Sequence, residues 1–95
     1  MYVIVAQWYA KAGAEDEIAE VLKTAVTNSR SEPGCRLFMA NRSREDPRRF
    51  VLYEQFDDRA AFGAHLATDS FKEHVAGRIL PLLESRVRDV CELIE

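Results

Sequence analysis

The stretch Tyr2–Ala10, YVIVAQWYA, constrains the fold more than any other part of this chain. It is β-branched, aromatic and almost continuously apolar, so it reads as a strand buried on both faces. Such a strand belongs at the centre of a sheet, with something covering each side. The 95 residues read as one domain, 1–95, and a chain this short buries only roughly 60–65% of its unfolded surface. Cover from a second copy is therefore expected.

The rest of the chain supplies a two-layer fold. After the turn at Lys11-Ala12-Gly13, the acidic run Glu15, Asp16 and Glu17 suits a helix N-terminus. Ile18, Val21, Leu22, Ala25 and Val26 follow at helical spacing, and Glu32-Pro33-Gly34 ends the helix. Cys35–Asn41 reads as a strand, and the polar loop Arg42–Arg49 leads to another, Phe50–Phe56. Asp57-Asp58 is an N-cap for a short helix over Arg59–Leu66. Ser70 and Glu73 have capping-box spacing for a third, with Phe71, Val75, Ile79, Leu82 and Leu83 inward and Pro81 kinking or shortening it. Arg86–Ile94 reads as the last strand. The order β-α-β-β-α-β is a ferredoxin-like α+β arrangement, an antiparallel sheet with helices on one face. The first and third strands, the most apolar, take its centre. Two helices cover only one face, and a second copy of the sheet is the simplest lid for the other.

Composition narrows the function. The chain is 47% hydrophobic and 31% charged, a globular composition, and its net charge of −3 argues against nucleic acid as a partner. The basic cluster Arg42, Arg44, Arg48 and Arg49 is interrupted by Glu45 and Asp46 and reads as a solvated hairpin loop. Cys35 and Cys91 sit in apolar runs and read as reduced core thiols. The N-terminus lacks the basic start of a signal peptide, and no run approaches the roughly 18 apolar residues of a membrane helix. No membrane partner is expected, and the expected location is the cytoplasm. The four glycines form no phosphate-binding spacing, and His65, His74 and the two cysteines form no metal-ligand pattern. No metal or other cofactor is expected.

The informative anomaly is Glu54, in FVLYEQF at the middle of a central strand. A buried carboxylate needs a partner or a raised pKa. Alternation puts Leu52, Glu54 and Phe56 on one face, and the following helix could carry the His65 imidazole to the carboxylate. Such a pair is either a general base in an aromatic pocket or an anchor between helix and sheet. Gln7 interrupts its strand, either lining a pocket or binding backbone at an edge. His74, on the apolar stripe of its helix, is either a core-edge histidine or a pocket group. Trp8 and Tyr53 are expected on the sheet face away from Glu54.

Glu32-Pro33-Gly34-Cys35, Tyr53-Glu54-x-Phe56, and His65-Leu66-x-Thr68 with Phe71-Lys72 together resemble the antibiotic biosynthesis monooxygenase family. The resemblance implies a homodimer whose sheets pack into a shared α/β barrel, with a ligand pocket between sheet and helices in each subunit. It also implies cofactor-free oxygenation of a small phenolic or quinol ligand, as in quinol monooxygenases. The deprotonated substrate supplies the electrons, Glu54 and His65 serve as base and orienter, and Gln7, Phe56 and His74 are candidate substrate contacts. Other relatives isomerise a phosphorylated sugar or degrade haem, and a non-catalytic binding or stress protein is the remaining alternative. Haem degradation fits poorly, because Gln7 and Phe56 replace the Asn and Trp of those relatives and His74 is one residue out of register. Ser70 stands where many relatives have a second His.

Overall fold

The computed structural model describes all residues, Met1–Glu95. Strands β1 (Tyr2–Ala10), β2 (Cys35–Arg42), β3 (Arg49–Phe56) and β4 (Leu83–Glu92) form one antiparallel sheet in the order β2-β3-β1-β4. The two most apolar strands are indeed central. Helices α1 (Glu15–Arg30), α2 (Arg59–Ala67) and α3 (Phe71–Ile79) complete the α+β fold.

Local chemistry explains the boundaries. Gly13 adopts φ +87°, where a side chain would be strained, and its N–H donates to Glu15 Oε1 at the start of α1. Asp58 caps α2 by accepting from the Ala61 N–H at 2.8 Å. The capping box expected at Ser70 does not form. Ser70 Oγ accepts from Asn28 Nδ2 on α1, and Thr68 Oγ takes the Phe71 N–H instead. The third helix is π-helical rather than α-helical and gives way at Leu80 to a 3-10 turn, Leu80–Leu82, that holds Pro81. As a result β4 begins at Leu83, three residues before the expected Arg86, and ends at Glu92.

The core lies between the sheet and the helices. Ile4, Ala6, Trp8 and Ala10 of β1 and Phe50, Leu52 and Phe56 of β3 meet Ile18, Val21, Leu22 and Ala25 of α1. Trp8 therefore faces the helices, contrary to expectation. An almost uniformly apolar strand carries no alternation to tell its two faces apart. Tyr53 does lie opposite Glu54, and it shares the other face with Val5 and Met39, its cross-strand partners. No helix packs on that face, which leaves Leu37, Met39 and Val87 exposed. Cys35 is half-buried but Cys91 is exposed, because β4 is an edge strand; it is not a core thiol. The arginine loop is solvated, as expected, with Arg42, Arg44 and Arg49 exposed and Arg48 half-buried, but two of its arginines are tied down. Arg42 bonds Asp16 and the Pro47 carbonyl, and Arg48 bonds Glu84 and the Ala10 carbonyl.

Candidate active site

Burial along β3 alternates, and Leu52, Glu54 and Phe56 all point towards the helices. Glu54 pairs in register with Ile4 and Phe38, so its carboxyl rises from the middle of the sheet into an apolar wall. It is only 5% exposed, and its Oε1 has no hydrogen-bond partner. Burial pushes its pKa up to about 8; nearby Arg88 opposes the rise and Glu32 adds to it.

Glu54 lines a cavity of about 290 Å³ between β1, β3, β4 and the two later helices. Ile4, Ala6 and Trp8 form its sheet side, Phe62, Leu66, Phe71 and Val75 its helix side. His65 also lines it, packed among the rings of Phe38, Phe56, Phe62 and Phe71 at centroid distances of 5.1–6.1 Å. Arg86 and Arg88, both exposed, complete the lining.

His65 and Glu54 share this cavity but are not bonded to each other. His65 Nδ1 donates instead to the Glu32 carboxylate, at 3.0 and 3.1 Å. The reason is the turn Glu32-Pro33-Gly34. A Cβ on Gly34 would sit 2.5 Å from the Ala61 Cβ, so only glycine lets α2 approach this closely. Ala61 and His65 stand four residues apart on one face of α2, and the contact that admits Ala61 brings His65 to Glu32. With its Nδ1 proton committed, the ring keeps Nε2 for proton exchange or a ligand.

The other expected contacts fall outside the cavity. Gln7 is exposed on the uncovered sheet face, because alternation turns it away from Ala6 and Trp8; β1 is central, so it is not at an edge either. Phe56 is fully buried and backs the His65 ring. His74 is half-buried, and its Nδ1 is buried without a partner. Two cavity groups, Arg86 and Arg88, and the Glu32 that holds His65 from outside the lining escaped sequence reasoning. Glu32 looked like part of a helix stop. Arg86 and Arg88 lay in the strand with the weakest pattern, although their i, i+2 spacing marks them as sharing a face. No three His, Cys, Asp or Glu side chains group in a way that could hold a metal ion.

A family model described as antibiotic biosynthesis monooxygenase matches residues 1–77. The chain belongs to the antibiotic biosynthesis monooxygenase family. Solved structures agree over the whole fold. An antibiotic biosynthesis monooxygenase is similar at 27% identity and a TM-score of 0.93, each chain covered completely. A candidate antibiotic biosynthesis monooxygenase from Nitrosomonas europaea is similar at 26% identity and a TM-score of 0.93, again over both whole chains. A protein from Shewanella oneidensis is similar at 31% identity and a TM-score of 0.87, over 95% of this chain and 87% of that one. No curated protein matches the chain in sequence. The antibiotic biosynthesis monooxygenase match stops at residue 77, so Glu32, Glu54 and His65 lie within the matched residues and Arg86 and Arg88 beyond them.

Proposed function

We propose that this protein is a cofactor-independent monooxygenase acting on a small phenol or quinol, with Glu54 as general base and His65, held by Glu32, as the group that orients the substrate. The observation that carries the reading is Glu54 itself, a buried carboxyl with an unpartnered oxygen in an aromatic cavity and a pKa near 8. A phenol has a pKa of about 10, so transfer of its proton to Glu54 is uphill by about 2 units, or ~3 kcal/mol. An ordinary carboxylate would face about 5–6 units, or ~7 kcal/mol. Desolvation thus makes Glu54 a base matched to phenols, ionised in a growing fraction as pH approaches 8.

In the reaction Glu54 takes the hydroxyl proton, and the electron-rich anion gives its electrons to dioxygen. One oxygen atom enters the ring and the other leaves as water, so a quinol and dioxygen give an oxygenated quinone and water. The cationic Arg88 side chain stabilises the charge that moves from Glu54 to the substrate. The protein works as a homodimer, which the family resemblance implies, and the uncovered apolar sheet face supports this.

Oxygen uptake with a series of 1,4-hydroquinones tests the reading. The expected result is turnover by the wild type and loss of at least 100-fold in Glu54→Gln, with the fold and oligomeric state retained. No uptake by the wild type with any quinol overturns it and leaves isomerisation as the use of the base.

A further inference from the structure

Arg86 and Arg88 stand two residues apart on β4 with their side chains on the same sheet face, their Cβ atoms about 6–7 Å apart. Both line the cavity, and being exposed they stand at its mouth. Neither is in an ion pair, whereas Arg36, Arg42 and Arg48 each bind a carboxylate. Arg88 instead lies over the Phe62 ring, its guanidinium carbon 5.3 Å from the centroid. Behind the two arginines the walls are apolar and aromatic. The Glu32 carboxylate is committed to His65, and Glu54 lies in a wall that disfavours its charge. Two uncommitted cations at the entrance to a low-dielectric cavity focus a positive field into it.

We propose that the cavity selects an anionic aromatic ligand, a phenol of one or two rings bearing a carboxylate that the Arg86 and Arg88 guanidiniums hold at the mouth. The planar guanidinium fork matches a carboxylate in two-point contact, and the 290 Å³ volume lies near the lower end of small-molecule sites. Nine of the thirteen lining residues are hydrophobic, Trp8, Phe62 and Phe71 among them, which favours an aromatic body over that of a sugar. Recognition of the anion stands without the proposed oxygenation; only the direction of the phenolic hydroxyl towards Glu54 rests on that reading.

Calorimetric titration of the intact protein tests this with three probes: 2,5-dihydroxybenzoate, its methyl ester and ribose 5-phosphate. The carboxylate is expected to bind at least 10-fold tighter than the ester at low salt, and the preference is expected to shrink as salt rises. In the Arg86→Gln/Arg88→Gln variant, checked for fold by circular dichroism, carboxylate and ester should bind within about 2-fold of each other. Arg88→Lys, which keeps the charge, should retain part of the preference. Four outcomes overturn the proposal: equal binding of acid and ester, a preference that survives in the double variant, tighter binding of ribose 5-phosphate, or no binding of the carboxylate at millimolar concentration. A strong acid preference without oxygen uptake leaves the anion site standing and removes the monooxygenase reading. Uptake with neutral quinols and no acid preference does the reverse.

Discussion

Glu32 and His65, thirty-three residues apart in sequence, form a two-point contact, with His65 Nδ1 within 3.1 Å of both carboxylate oxygens. The pair ties α2 to the turn before β2 and sets the imidazole among four phenylalanine rings.

Removing one partner leaves the other buried and unsatisfied. Glu32→Ala is expected to lower stability by about 1–3 kcal/mol, and Glu32→Gln, which keeps an acceptor, by less. Chemical denaturation of the two variants beside the wild type provides the measurement. Equal stability of Glu32→Ala and wild type would show that the contact holds nothing.

Glu54 makes stability depend on pH with an unusual sign. Its folded pKa, about 8, lies above its unfolded value near 4.5, so between these the folded state binds more protons. By linkage its contribution is intact below about pH 4.5 and is lost as pH rises through 8. Glu54→Gln cannot ionise and should gain on the wild type as pH rises, by on the order of 3–5 kcal/mol at pH 9. Melting curves from pH 5 to 9 measure this; parallel curves for the two proteins would contradict it.

The same carboxyl should respond oppositely to its two charged neighbours. Arg88 lowers the Glu54 pKa and Glu32 raises it, so Arg88→Gln should move the titration up and Glu32→Gln should move it down. Carbon-13 NMR titration of the Glu54 side chain reads both shifts, and movement in the same direction would rule out this electrostatic account.

Gly34 should tolerate no side chain while Ala61 faces it. Gly34→Ala places two methyl carbons 2.5 Å apart and is expected to cost about 1–3 kcal/mol. The double variant Gly34→Ala/Ala61→Gly relieves that contact, leaving the new carbon 3.4 Å from the residue 61 Cα. It should therefore recover part of the loss despite the helix cost of glycine. A double-mutant cycle with no coupling would mean that α2 moves away freely.

Val5 lies at the centre of the sheet face that no helix covers, across from Tyr53. In a homodimer closed over that face, Val5→Glu buries a charge at the interface and should give a folded monomer by sedimentation. A wild type that sediments as a monomer, or a variant that remains a dimer, would place the cover elsewhere.

Much of the architecture is local and was legible in the residues. The acidic start of α1, the Asp58 cap, the break at Pro81 and the central rank of β1 and β3 each follow from chemistry within a few positions. The anomaly of Glu54 was equally plain, because alternation along β3 turns a carboxylate inward whatever lies across from it. What His65 would bind was not legible. Two carboxylates competed for it, and the choice fell to the approach distance that Gly34 permits between α2 and a turn remote in sequence. The facing of Trp8 and Gln7 was hidden for the opposite reason, since a strand apolar on both sides acquires an inside and an outside only when helices settle on one of them. Arg86 and Arg88 became cavity residues through pairing of β4 with β1, and only the assembled sheet brings them to the mouth of the pocket that Glu54 closes from below.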